Sequence, residues 1–318
     1  MSSIINDTKL AAKLIENGEL VAFPTETVYG LGADAFNAEA VAKIFATKER
    51  PTFNPLIVHI REVSELEKLF VEIDDALLKL AEHFWPGPLT IVAKKQKSVP
   101  DIVSAGLDTV AVRMPANQTA RELLKLSGKC IAAPSANRFG MLSPTTPEHV
   151  QKQLPELKCI LNGELPKVGI ESTVIELCQG EFKILRPGFI TEQDLLKVLP
   201  QSKTTEANSP IKSPGLLKSH YSPRKPMYLL GKAPEYSADK KTGFLAFSEV
   251  QEPEKYHLIE RLSSNGDLSE AAANFFEALH RLEDSDVDLI IAEPVPETGI
   301  GIAIMDRLKK AVYQYSNK

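Results

Sequence analysis

Cysteine is scarce in this chain of 318 residues: Cys130, Cys159 and Cys178 are an odd number with no CxxC pair. They suit neither a disulfide framework nor a zinc ribbon, and read as small buried hydrophobes of a reducing cytosol. Long apolar runs are missing too. Stretches such as 131–134 (IAAP) and 289–292 (LIIA) fall far short of the ~20 residues that span a bilayer. The opening MSSIINDTKL has no basic head and no apolar core, so no secretory signal is expected and the compartment expected is cytoplasmic. Signature motifs are also lacking. There is no GxxxxGK followed by Ser or Thr, no HExxH and no GxSxG. Gly299-x-Gly301 follows a strand pattern, but Ile304 stands where a dinucleotide fingerprint needs its third glycine. No carboxylate cage for a divalent metal is visible, and Asp74-Asp75 reads as helix-start charge. An excess of positive charge is absent as well. With 37 Lys+Arg against 42 Asp+Glu the net charge is -5, which argues against tight, sequence-independent nucleic-acid binding. Anionic ligands would have to be met by a few cations focused in a cleft.

What is present is ordinary globular material, 43% hydrophobic and 25% charged, long enough for two domains. Charge divides along the chain. Residues 1–200 carry 22 Lys+Arg and 25 Asp+Glu, residues 201–225 carry 5 and 1, and residues 226–318 carry 10 and 16. The cationic stretch coincides with Pro200, Pro210, Pro214, Pro223 and Pro226, so 201–226 reads as a proline-rich linker. Before it, apolar strand patterns (20–23, 56–60, 89–93, 109–112, 130–133, 172–177, 182–185) alternate with helical ones (8–17, 38–46, 74–84, 118–126, 191–199). The first helix is expected to bury Leu10, Leu14 and Ile15. This is an α/β domain, 1–200, with a twisted mixed sheet, since several strands are spaced closely enough to be antiparallel. After the linker, strands at 227–230, 243–247 and 287–292 and helices at 268–282 and 301–312 predict a smaller doubly wound, Rossmann-like domain, 227–318.

Polar residues collect where strands end. The strand at 20–23 feeds PTETVYGLG (24–32), 109–112 feeds Arg113-Met-Pro, 130–133 feeds PSAN (134–137), and 182–185 feeds Arg186-Pro-Gly. Ligands of open α/β sheets bind outside the carboxyl ends of the strands, so these turns predict a pocket for an anionic, hydroxyl-rich ligand. Lys48-Glu-Arg50-Pro51 adds two cations where a helix must stop before proline. Their charge either caps that helix or clamps phosphate from its end. His59, inside a strand, reads by default as a half-buried histidine.

In order and spacing, PTETVYGLG (24–32), KERP…NPL (48–56), PSAN (134–137), GIESTVI (169–175) and RPG (186–188) resemble the YrdC-like family. SPGLLKSHYSP (213–223) and GIGIAIMDRLKKA (299–311) resemble its longer, two-domain threonylcarbamoyl-AMP synthases. The resemblance implies a nucleotidyltransferase that condenses L-threonine, bicarbonate and ATP into threonylcarbamoyl-AMP and pyrophosphate, with Mg²⁺ brought by the nucleotide. It also implies a downstream transfer complex that uses the adenylate to modify tRNA beside the anticodon, with direct tRNA binding weak or absent. Residue by residue, it implies a nucleotide side of Arg50, Asn54, Thr109, Ser135, Asn137, Ser143, Arg186 and Tyr221. The threonine side is Thr27, His59, Arg113, Ser172 and the backbone of Ala133. Lys48 and Arg50 are assigned to phosphate charge and catalysis, Arg113 to the amino-acid carboxylate. Leu216 and Leu217 depart from the Met and Tyr that many relatives carry after Gly215. Because a carbamate anion must approach a polyphosphate, preplaced cations and hydroxyls are the catalyst this chemistry needs. The segment Ser213–Pro223, cationic and hinged at Gly215, is expected to close over the nucleotide. Two rivals compete. The carbamoyl-transfer proteins of hydrogenase maturation carry a similar domain but add CxxC repeats, which this chain lacks. An RNA-binding module with an electropositive cavity is the other, against which the net charge argues.

Overall fold

The computed structural model describes residues 3–200, 220–232 and 240–316. Residues 201–219 of the expected linker, with Gly215, Leu216 and Leu217, lie outside the described residues. Ten strands form one mixed sheet. Their spatial order is Ser3–Ile5, Cys159–Leu161, Val21–Phe23, Gly30–Asp34, Ile131–Ala132, Ile57–His59, Thr109–Arg113, Leu89–Lys94, Thr173–Cys178 and Glu181–Arg186. The antiparallel members expected from short spacings are present, among them the hairpin of Thr173–Cys178 with Glu181–Arg186. The polar turn expected at 24–32 ends at Gly30, where the strand Gly30–Asp34 begins; this strand pairs with Val21–Phe23 on one side and Ile131–Ala132 on the other. Glycine disfavours strands, but here it is required. A Cβ on Gly32 would stand 2.7 Å from Ile131 Cγ2 and 2.7 Å from Phe23 Cε1, so only a bare backbone lets the three strands close.

Helix Ala38–Lys48 lays Val41, Ile44 and Phe45 on the sheet and starts at Asn37, whose side chain accepts from the Ala40 amide at 3.1 Å. It runs one residue pair beyond the expected 38–46 and stops at Glu49, whose φ of 53° is left-handed, just ahead of Pro51. Lys48 therefore belongs to the last helical turn and Arg50 to the exit loop. The first helix, Thr8–Glu16, buries Ala11, Ala12 and Ile15, whereas Leu10 is exposed.

A second sheet is wholly parallel, in the order Met227–Leu229, Leu289–Ala292, Thr242–Ala246 and Leu258–Arg261. Helices Leu268–Asp284 and Gly301–Ser316 accompany it. The strand Leu258–Arg261 escaped the sequence reading because its LIER pattern is neither apolar nor strictly alternating.

The core of the small sheet continues into the large domain. Phe275, Phe276, Ile304 and Leu308 share one apolar cluster with Val28, Leu142, Val168, Ile170 and Tyr221. Gly169 makes this closeness possible. Its φ is +74°, and a Cβ there would fall 2.3 Å from the Ala273 carbonyl oxygen. His280 of helix Leu268–Asp284 donates from Nε2 to the Ser143 carbonyl at 3.1 Å. It also stacks on His149 of helix Pro147–Gln153, with centroids 3.7 Å apart at 17°.

Burial pushes His149 down to about 3 and His280 down to about 4. Lys152 adds to both effects, while Asp284 opposes them and Glu148 opposes the first. Both folded values lie below the ~6.5 of an unfolded histidine. As pH falls, the unfolded chain takes up these protons first. Stability is therefore full above about 6.5 and is lost as pH falls toward the folded values, by up to about 1.4 kcal/mol per pH unit per histidine. Melting temperature is expected to drop between pH 6.5 and 4.5, and less steeply for His280→Gln. Equal slopes in a melt series on the two proteins would contradict this.

Candidate active site

Parallel pairing sets two site residues side by side: His59 is in register with Arg113 on adjacent strands. The neighbouring strand Ile131–Ala132 leads into Ala133–Asn137, and the hairpin from Val21–Phe23 leads through Thr25 and Thr27. These ends frame a cleft holding about 540 Å³ of atom-free space, part of it open to solvent. Of the expected threonine side, Thr27, His59, Arg113, Ala133 and Ser172 all line it; of the expected nucleotide side, Arg50, Ser135, Arg186 and Tyr221 do.

Three guanidinium groups are sunk in this one cleft: Arg50, Arg113 and Arg186 are 7%, 3% and 4% exposed. Burial pulls Arg50 down to about 9, and Arg186 pushes in the same direction. Burial likewise lowers Arg186. Charges in such surroundings are costly unless an anion joins them. Arg113 donates from Nη1 to Thr27 Oγ1 at 3.0 Å and from Nε to the Gly87 carbonyl at 3.3 Å. Its Nη2 lies 2.6 Å from Glu26 Oε1, an ion pair without hydrogen-bond alignment. Glu26 Oε2 meanwhile accepts from the amides of Ala116 and Asn117. Arg186 donates from Nε and Nη2 to the Ser172 carbonyl at 3.2 and 3.0 Å, and from Nη2 to Ser172 Oγ at 3.2 Å. His59 is held down at about 3 by burial and then by Arg113. It is neutral at working pH, and its Nδ1 has no protein partner.

Four further expected residues stand behind the lining. Lys48, 1% exposed, donates Nζ to the Ser135 carbonyl at 2.6 Å and to the Asn137 carbonyl. Its ammonium thus caps no helix of its own. It holds the PSAN turn in place, and burial keeps its pKa well below the lysine range. Asn137 accepts from Ser135 Oγ and donates to the Arg138 and Met141 carbonyls at 2.8 and 2.9 Å. Ser143 donates to Glu171 Oε1 at 2.5 Å. Asn54 receives Arg50 Nε on its backbone carbonyl at 3.3 Å, and both atoms of its buried amide lack protein partners. Thr109 differs. It begins the strand that Arg113 ends, opposite Lys94, about 13 Å away at the usual rise per residue.

The sequence reading missed Glu26, Glu171 and His220, of which Glu171 and His220 line the cleft. The available signal was an ionisable residue inside the quoted motifs PTETVYG, GIESTVI and HYSP. The last motif lies between the two domains. The His220 amide donates to the Lys310 carbonyl, the Ser222 amide to the Gly140 carbonyl, and Ser222 Oγ to the Ala311 carbonyl. Tyr221 is held at φ 61°, a conformation costing a residue with a Cβ roughly 1–2 kcal/mol. Its ring is 1% exposed and its hydroxyl has no protein partner. Buried polar atoms are normally bonded, so the unpartnered atoms of Tyr221, His59 and Asn54 mark this cleft as a place for a polar ligand. Among the described residues, no three His, Cys, Asp or Glu side chains cluster so as to hold a metal. No helix among them is long and apolar enough to cross a membrane.

Residues 13–188 match the Sua5/YciO/YrdC family model, described as telomere recombination. Residues 190–312 match the C-terminal domain model of threonylcarbamoyl-AMP synthase. The threonylcarbamoyl-AMP synthase of Pyrococcus abyssi is 41% identical over 95% of this chain and 93% of its own length. The chain belongs to the Sua5/YciO/YrdC family, as an enzyme of its two-domain, threonylcarbamoyl-AMP synthase type. The Bacillus subtilis member of the family is 39% identical over 96% of this chain and 93% of its own. The solved structure of P. abyssi Sua5 complexed with L-threonine agrees at a TM-score of 0.87 and 38% identity, covering 97% of this chain and 94% of that one. Family membership thus accounts for both sheets.

Proposed function

We propose that this chain is an L-threonylcarbamoyladenylate synthase acting in the cytoplasm. The threonine amine combines with bicarbonate to give a carbamate and water. A carbamate oxygen then attacks the α-phosphorus of ATP, the bond to the β-phosphate breaks, and pyrophosphate leaves. One observation carries this reading: three buried guanidinium groups converge on one cleft beside unpartnered polar atoms. Anion meeting anion is the obstacle in this reaction, and fixed cations lower it. On this reading Arg113 exchanges its Glu26 contact for the threonine carboxylate. Thr27, His59, Ser172 and the Ala133 backbone surround the amino acid; that an amino acid of this kind is bound is supported by the P. abyssi relative, solved complexed with L-threonine. Arg50 and Arg186 take phosphate charge, with Asn54, Ser135, Asn137, Ser143 and Tyr221 about the nucleotide. Mg²⁺, brought by the nucleotide rather than held by this chain, would supply countercharge for the pyrophosphate. Lys48 acts by fixing the Ser135–Asn137 turn.

Residues 1–200 would form the catalytic domain, 227–318 the smaller domain, and 201–226 the linker and lid, whose end at His220 and Tyr221 lines the cleft. The adenylate would pass to a complex that transfers the threonylcarbamoyl group to tRNA, with little direct tRNA affinity at a net charge of -5. The test is product formation from ATP, L-threonine and bicarbonate, omitting each in turn. Threonylcarbamoyl-AMP should appear in the full mixture alone. A protein that binds tRNA with a steep salt dependence and forms no nucleotide product would favour an RNA-binding module instead.

A further inference from the structure

Arg307 is a charge in an apolar stripe. Helix Gly301–Ser316 of the smaller domain buries Ala303, Ile304, Leu308 and Ala311 on one face, and Arg307 lies on that face with its side chain wholly buried. Within its own helix Nη1 reaches the Ala303 carbonyl at 3.3 Å and Asp306 Oδ2 at 3.4 Å, and the guanidinium also reaches out of the smaller domain. Nε donates to Glu171 Oε2 at 3.1 Å, Nη2 reaches the Glu171 carbonyl at 3.5 Å, and Nη1 donates to the Pro187 carbonyl. Its Cζ stands 5.7 Å from the centre of the Tyr221 ring. Glu171 immediately precedes Ser172, and Pro187 immediately follows Arg186. The same two segments already meet through Arg186 and the Ser172 carbonyl. One guanidinium from the second domain therefore ties both flanks of that contact and supports the tyrosine opposite.

We infer that Arg307 is a positioning residue for the nucleotide half of the cleft. It neutralises Glu171, the carboxylate among the cleft-lining residues, and holds the Ser172–Arg186 contact and Tyr221 in place. The inference rests on the proposed reading of the cleft as an ATP site. Docking of the smaller domain buries Glu171, and a buried carboxylate facing a triphosphate would repel it. Arg307 supplies the countercharge from the same domain that does the burying. With Ser143 Oγ on the other oxygen, both carboxylate oxygens are engaged.

The test compares wild type, Arg307→Met, Arg307→Lys, and Arg307→Met combined with Glu171→Gln, in the full-length enzyme. Arg307→Met leaves Glu171 charged and unpaired, so KM for ATP should rise about tenfold or more, with KM for L-threonine within about twofold. Adding Glu171→Gln removes the stray charge and should restore most of the ATP affinity, although the bond between domains is still gone. Arg307→Lys keeps the charge without the fork and should fall between. A purely structural Arg307 predicts a lower melting temperature, an unchanged KM for ATP below the melt, and no rescue by Glu171→Gln; that result overturns the inference. If Arg307→Met does not fold, Arg307→Lys and the double variant decide by the same KM for ATP. Synthesis by wild type with unshifted variants sinks this inference alone, whereas no synthesis by wild type sinks the reading beneath it.

Discussion

L-Valine is expected to turn over at about 10⁻⁴ of the L-threonine rate or less. Valine has threonine's shape without its hydroxyl. The amino-acid side of the cleft offers Thr27 Oγ1, Ser172 Oγ and the unpartnered His59 Nδ1, polar atoms that a methyl group cannot satisfy. A site built to bond a hydroxyl rejects the analogue lacking it by ~10⁴ or more, because buried partners are left unpaired. L-Serine keeps the hydroxyl and loses a methyl group, in a cleft whose lining includes the apolar Ile57 and Ala133. That loss is worth only about 10–200-fold. The expected order of kcat/KM is threonine, serine, valine, measured by adenylate formation. Valine reacting as well as serine would contradict the assignment of Thr27, His59 and Ser172 to the amino acid.

Arg50→Ala is expected to lower kcat/KM by about 10²–10³ with little change in melting temperature. A preorganised charge on the reacting phosphates is worth on the order of 3–4 kcal/mol in the transition state. In the folded protein the same guanidinium is desolvated, pulled down to about 9, and bonded to carbonyls of its own loop, Asn54 and Pro55. Its removal relieves a buried charge while it loosens the loop, so stability moves little. Lys48→Ala should behave otherwise, since Lys48 Nζ ties the turn at Ser135 and Asn137 to the helix. Activity and melting temperature should fall together there. Kinetics and melts of the two variants separate the roles, and a large drop in melting temperature for Arg50→Ala with normal turnover would refute the phosphate role.

Much of the cleft was legible in the sequence because strand ends advertise themselves. Proline, glycine and isolated cations after short apolar runs located the turns carrying Thr27, Arg113, Ser135 and Arg186. Parallel pairing then supplied what spacing could not, the register that sets His59 beside Arg113. The turn expected at 24–32 overlaps the start of the strand Gly30–Asp34 because Gly30 and Gly32, which satisfy close packing among three strands, look like turn formers when met singly. The direction of the Lys48 ammonium was equally hidden, since its bonds reach residues 87 and 89 positions away. Thr109, which the resemblance implies on the nucleotide side, begins the strand of five residues that Arg113 ends. The pairing of Glu171 with Arg307 joins residues 136 apart. The hint was a lone arginine at the helical period within an apolar face, and nothing local named its partner.

The central claim is that carbon from bicarbonate joins threonine and AMP in one molecule. Incubation of the enzyme with ATP, tritiated L-threonine and ¹⁴C-bicarbonate, followed by separation of the nucleotide products, tests it directly. The account predicts a single adenylate carrying both labels in equal amounts, matched by the pyrophosphate released. An adenylate carrying threonine without ¹⁴C, or pyrophosphate release indifferent to bicarbonate, would mean that the carboxylate rather than a carbamate attacks ATP, and would contradict it.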